Sequence, residues 1–587
     1  MLCLVLRLGT YIANELLTPY KCRPTNHDHD TFPANHADVT FVGRPFPLEE
    51  AHEHFARLRR WGLTFIRFLA TWEAVEHAGP GIYDTEYLAY LRSILSLLPQ
   101  FGLTAFVALH QDVWSRYTGG SGAPAWTLEA VGFDLHGLEE PGAAWLHGVR
   151  GGGHTEDERG LWPCGYQKLS AATMATCFWA GDAFAPKLRV RDARGADVSI
   201  QTFLQTAFLD MWEVVAKTVG DLEGVLGFEI MNEPHRGYAE LQSMYQFDYN
   251  TDLHLGHVPT AFQSFTLGAG YPTEVGFWTR TFPMPTRLTG KAVLNTARQK
   301  AWREDGPTGG RCLWEMHGVW GWDLKKNGGC CAPRELLQEA PDDGEDGTKG
   351  EAFQTDSWIW QTRMMDAMLT ALDKSLVGFT LWNYNPDNED HIGDDWNGEN
   401  FSWFSRRRAL TGDWLDLAQT SPTLDNGARI VRAFVRPYPA KTAGIPVRFD
   451  YEMNTGQFTF EWVIPGVDSA PPAEASVASP PLASHPALTS KDTQIFLPSL
   501  LAHSRKIVVQ GLKPEDRYRY DEARQTLTIT TADLVPGERH SVTVSLNPPL
   551  KDAFTVNSFW DDFGLHVVAA TIVLASILIY VIMSMVS

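Results

Sequence analysis

Glu233 sits inside the stretch GFEIMNEPHRGY, residues 227–238. An apolar run that reads as a strand ends there in a carboxylate, flanked by the amide of Asn232 and followed by Pro234. A packed core has no use for a charge at such a place, because an unpaired buried carboxylate is costly. A carboxyl group is, however, a natural donor and acceptor for general acid/base work. Three other strand-like runs also deliver chemically useful residues toward their C-terminal ends. They are Arg67 in LTFIRF, His110 and Asp112 in LTAFVALHQD, and Trp382 in LVGFTLWNYNPDN. Arg67 alone could be half of a loop ion pair. Four such positions together point to one shared site.

The elements that must position these residues follow from local pattern. PLEEAHEHFARLRRWG begins with Pro47, carries acids in its first turn and ends in Arg59, Arg60 and Gly62, which predicts a helix closing at that glycine. A second helix is expected from about Asp84 to Leu98. A third, IQTFLQTAFLDMWEVVAKTVGD, places Phe203, Ala207, Met211 and Val215 at helical spacing. WIWQTRMMDAMLTALDKS reads as a helix entering the strand that carries Trp382. Helix, apolar strand and polar loop in repetition is the pattern of an α/β barrel, whose active sites lie at the C-terminal ends of the strands.

Four segments are expected: an irregular 1–40 that loosely matches a first strand; a barrel over 41–437; a small antiparallel β-sandwich over 438–550; and an apolar tail. In the third, PVRFDYEMNTGQFTFEWVI alternates across a turn at Asn454–Gly456. A Pro/Ala/Ser-rich insert at 469–490 reads as disordered. The tail at 565–586 contains no charged residue and is long enough to cross a ~30 Å hydrocarbon core, so it predicts a single-pass transmembrane anchor. The catalytic domain is then expected on the cytosolic side of a membrane.

The formal charge of −21 argues against nucleic acid as a partner. Seven cysteines, without zinc spacing, favour a reducing compartment over a disulfide framework. The start has neither a basic n-region nor a clear cleavage site, so no secretory signal is expected. His27, Asp28, His29 and Asp30 read as a polar surface loop rather than a metal site. TGGSGAPAW at 118–126 lacks the Lys-Ser/Thr of a P-loop. No cofactor, metal or protein partner is implied.

GFEIMNEPHRGY, HQDVWSRYTGGSGAPAWTLEAVG, VGFTLWNYNPDN and DDWNGENFSWFS resemble glycoside hydrolase family 5, and within it the fungal glucosylceramidase and steryl β-glucosidase branch. The resemblance implies a (β/α)8 barrel and a retaining β-glucosidase acting on a glycolipid. It implies Glu233 as the acid/base and Asn232 as a ligand of the sugar 2-hydroxyl. By the same likeness His110 and Asp112 would bind sugar hydroxyls, Trp382 would floor the glucose, and Arg67 would keep the nucleophile ionised.

The nucleophile is where the chain departs from the family. It belongs at the end of strand seven, yet CCAPRELLQEAPDDGEDGTKG stands in that place. Glu345 is the nearest carboxylate by position, in what reads as a solvated acidic loop. Strands five to seven are expected to be missing, which leaves an incomplete barrel. Either coding exons were left out of the gene model or the deletion is genuine. In the second case the chain is a glycolipid-binding pseudoenzyme.

Overall fold

The computed structural model describes residues 8–12, 36–37, 39–144, 162–192, 195–239, 241, 243–247, 255–281, 284–323, 328–331, 359–386, 388, 401–405, 422–425, 427–465, 490–550, 568 and 571. Five parallel strands form its central sheet: β1 (Leu8–Ile12), β2 (Phe65–Ala70), β3 (Thr104–Leu109), β4 (Val225–Glu229) and β5 (Phe379–Tyr384), in the order β5-β1-β2-β3-β4. This is five-eighths of a barrel wall, with β5 in the place of an eighth strand beside the first. The N-terminal segment thus supplies β1, seated between β2 and β5.

Helices α1 (Ala51–Trp61), α2 (Thr85–Ser96), α3 (Ile200–Val219) and α4 (Ile359–Ser375) lead into β2, β3, β4 and β5. The signals read from sequence act as expected at their ends. Gly62 terminates α1 in the left-handed region, and the Asp84 carboxylate caps α2 by accepting from Tyr87 N. Buried Phe55, Leu58, Trp61, Leu91, Ile94, Met211 and Val215 turn the helices' apolar stripes onto the sheet.

Between β4 and α4 the described chain forms antiparallel ribbons, Gly256–His257 with Thr273–Thr281 and Met284–Leu294, and Trp320–Asp323 with Gly328–Cys331. The C-terminal domain is a sandwich of two four-stranded antiparallel sheets around Phe449, Phe458, Phe460, Trp462, Ile495, Leu527 and Val542. It packs on the barrel beside α1. Asp425, in the segment leading to it, accepts from Arg60 Nη2 at 2.7 Å, and Gln525 Nε2 donates to Arg59 O at 3.1 Å.

The expected architecture needs one correction. Among the described residues no helix is long and apolar enough to cross a membrane. Of the tail at 565–586 only Val568 and Thr571 are described, so the expected transmembrane helix is not found among the described residues. Length and apolarity make a span possible only where the run also forms one continuous helix, and no such helix is described. The membrane contact through that helix is withdrawn with it, while the cytosolic location stays an expectation. The insert at 469–490, except Ser490, and Glu345 lie outside the described residues.

Candidate active site

The carboxyl ends of β2, β3, β4 and β5 converge on one group of polar side chains. Arg67, on β2, is buried. Its Nε donates to Glu229 Oε2 at 2.7 Å, and its Nη2 donates to Glu229 Oε1 and, at 2.9 Å, to Asn232 Oδ1. A guanidinium in this fork satisfies both oxygens of a carboxylate two strands away at once. Asn232 is therefore fixed by charge-assisted bonding. Its amide nitrogen in turn donates to Gln111 O at 3.0 Å and to Asp112 Oδ1 at 3.3 Å.

Asp112 is the hub of the β3 end. Its Oδ2 lies 2.8 Å from His110 Nε2, and its Oδ1 accepts from the Tyr166 hydroxyl at 3.2 Å. Burial, reinforced by the Asp112 charge, holds the Tyr166 phenol well above its ordinary pKa, so it stays a donor. His110 stacks on Trp382 with ring centroids 6.0 Å apart and planes 20° from parallel. Trp382 also rests on the small apolar cluster of Leu69, Ala108 and Phe106. The second nitrogen of His110, Nδ1, is buried and has no hydrogen-bond partner among the described residues. A buried ring nitrogen without a partner is costly in a resting fold and fits a site that awaits a polar ligand.

Glu233 follows directly, with an exposed side chain and a left-handed backbone at φ +35°. Tyr166 lies within electrostatic reach of it. Tyr166 stacks on His235 at 4.9 Å, and burial depresses the His235 pKa to about 4, which keeps that ring neutral. His235 Nδ1 accepts from Gly237 N at 3.0 Å, tightening the turn just after Glu233.

All six residues singled out from sequence thus lie at adjacent strand ends, and five join one chain of contacts: Arg67–Asn232–Asp112–His110–Trp382. Glu233 is joined to it through the backbone of Asn232. Four further residues escaped the sequence reading: Gln111, Tyr166, Glu229 and His235. Glu229 had a visible signal, a charge inside an apolar run that requires a partner. The described partners of Arg67 include Glu229 and Asn232.

Residues 27–250 match the family profile described as cellulase (glycosyl hydrolase family 5), and residues 436–544 match the glycoside hydrolase family 5 C-terminal domain. The chain is 38% identical over 629 residues to a glucosylceramidase of Cryptococcus neoformans var. grubii, covering 84% of this chain and 81% of the relative. It is 32% identical over 566 residues to a glucosylceramidase of Rhizopus delemar, covering 73% and 80%. An ergosteryl-beta-glucosidase of Saccharomyces cerevisiae is 34% identical over 331 residues, covering 50% of this chain and 42% of the relative. In fold the chain resembles the crystal structure of Cryptococcus neoformans sterylglucosidase 1, with a TM-score of 0.77 at 23% identity over 93% of this chain and 96% of that one.

Proposed function

The chain belongs to glycoside hydrolase family 5, and from that premise we propose that it is a retaining β-glucosidase that removes glucose from a membrane glycolipid, a steryl glucoside or a glucosylceramide. The observation that carries this reading is the linked group Arg67–Asn232–Asp112–His110–Trp382 beside Glu233, with His110 Nδ1 left for a ligand. The names of the relatives support the lipid glucoside as substrate.

In this mechanism the glucose ring lies on the Trp382 indole, with His110 Nδ1 on one of its hydroxyls. Glu233 in its acid form protonates the departing lipid oxygen. A second carboxylate, roughly 5–5.5 Å from it, attacks the anomeric carbon as that bond breaks and holds the sugar as a glycosyl ester. Glu233, now a carboxylate, takes a proton from water, and the water displaces the ester. Asn232 contacts the 2-hydroxyl, an interaction that strengthens as positive charge grows on the ring. Arg67 supplies positive charge at the face where the second carboxylate works. That carboxylate belongs to a strand between β4 and β5, and none of the described strands lies there.

The five-stranded sheet also favours a second reading, a protein that binds glycolipid without turning it over. Glucose release from steryl glucoside and from glucosylceramide separates the two, with Glu233→Gln as control. Release abolished by the substitution supports the hydrolase. Glycolipid binding without release supports the second reading.

A further inference from the structure

Tyr166 comes to the site from outside the sheet, on the short 3-10 turn Trp162–Gln167. Its hydroxyl is held from two sides. The backbone N–H of Val113 donates to the phenolic oxygen, and the phenol donates to Asp112 Oδ1 at 3.2 Å. With the oxygen already accepting from an N–H, the phenol's own proton has Asp112 as its acceptor. This close approach is built into both segments. Val113 is buried and left-handed at φ +51°, a rare state for a β-branched residue, and Trp114 follows at φ +75°. Opposite it Gly165 leaves no room for a side chain, since a Cβ there would stand 2.7 Å from Val113 Cγ1.

The ring of Tyr166 meets the other half of the site. It stacks on His235, which lies two residues beyond Glu233, with centroids 4.9 Å apart and planes 21° from parallel. His235 Nδ1 accepts from Gly237 N. Gly237 is left-handed at φ +65°, and a Cβ on it would stand 2.4 Å from Thr176 Oγ1. The turn after Glu233 is thus pressed against the helix Leu169–Phe184, which begins three residues after Tyr166. Asp112 in turn gathers three contacts: Tyr166 and Asn232 Nδ2 on Oδ1, and His110 Nε2 on Oδ2. A carboxylate oxygen that accepts from His110 puts the ring proton on Nε2, and the neutral ring then presents Nδ1 as a bare acceptor.

We infer that Tyr166 is a positioning residue that serves both halves of the site. Its hydroxyl orients the Asp112 carboxylate, and through it the His110 nitrogen that accepts from a sugar hydroxyl. Its ring braces the turn that carries Glu233. The hydroxyl therefore acts on sugar binding and the ring on the acid/base step. Phenylalanine at this position loses only the first part, and leucine loses both. The ring's part rests on the hydrolase reading, whereas the hydroxyl's part rests on sugar binding alone.

The test compares wild type, Tyr166→Phe and Tyr166→Leu by glucose release from a steryl glucoside and by calorimetric binding of free glucose. For Tyr166→Phe the expected result is a KM and a glucose Kd raised about 2- to 10-fold, with kcat nearly unchanged. For Tyr166→Leu kcat falls in addition by about 10- to 100-fold. Wild-type KM and Kd in Tyr166→Phe overturn the inference, and so does one kcat shared by the two variants. A wild type that binds glucose but releases none sinks the hydrolase reading and the ring's part with it, while the Kd of Tyr166→Phe still decides the hydroxyl's part. A wild type that binds no glucose overturns both.

Discussion

Gln111 and Asn232, 121 residues apart in sequence, each bond the other's backbone. Gln111 Nε2 donates to Asn232 O at 2.7 Å, and Asn232 Nδ2 donates to Gln111 O at 3.0 Å. The same Gln111 amide reaches Glu233 O at 3.1 Å, and Asn232 N donates to Leu109 O at 3.1 Å. Together these bonds hold Glu233 in a left-handed conformation that costs a non-glycine residue about 1–2 kcal/mol. Gly122 backs the clamp, since a Cβ there would stand 2.4 Å from Gln111 Cβ.

Gln111→Leu keeps the volume and removes both donors. A shift of about 1 Å in a reacting group can cost on the order of 100-fold in rate. We expect kcat on the lipid glucoside to fall about 10- to 100-fold with KM nearly unchanged. Steady-state kinetics check this, and an unaltered kcat removes Gln111 from the site.

His110→Phe retains a ring against Trp382 and deletes both nitrogens, the buried Nδ1 and the Nε2 that meets Asp112. One hydrogen bond to a sugar hydroxyl contributes about 0.5–1.5 kcal/mol, so kcat/KM should drop up to about 10-fold. Competition by free glucose should weaken in parallel. If both stay at wild-type values, the orphaned nitrogen has no part in sugar binding.

Glu76 predicts a pH dependence of stability. Burial pushes its carboxyl up to about 7, against the pull of hydrogen bonds from Trp72 Nε1 at 2.6 Å and Gly81 N at 2.5 Å. The folded protein therefore keeps a proton that the unfolded chain releases near pH 4.5. The associated stability is full below that pH and is lost as pH rises through about 7, a change of up to ~3 kcal/mol. Urea midpoints of wild type and Glu76→Gln, measured from pH 4 to 8, should converge toward the acid end and diverge in favour of the variant toward the alkaline end. Parallel curves would contradict the assignment.

Gly62 joins barrel and sandwich. It lies at φ +79°, and a Cβ on it would stand 2.3 Å from Phe496 Cε1. Gly62→Ala should lower stability by about 1–3 kcal/mol through strain and overpacking. Thermal unfolding measures this. A change below about 0.5 kcal/mol would mean that the Phe496 ring yields freely.

The strand ends were readable because they are local. A helix closed by Gly62, an apolar run, then Arg67; or an apolar run ending in Asn232 and Glu233: each declares its place through residues a few positions away. Gln111, Tyr166 and His235 gave no such signal, because their work is done across distance. Tyr166 meets Asp112 from 54 residues away, and nothing in WPCGYQK says so. The expected span in the apolar tail rested on composition and length alone, and no described helix bears it out.

Residue types and their local spacing were enough to place an acid, an amide, an imidazole and an indole at the ends of successive strands, because propensity and periodicity act over a few residues. Which of them touch was settled by packing: Arg67 closing on Glu229, and Asp112 collecting His110, Asn232 and Tyr166. Contacts between strands set more than a hundred residues apart depend on how the sheet brings their ends together, and no short stretch of chain encodes that distance.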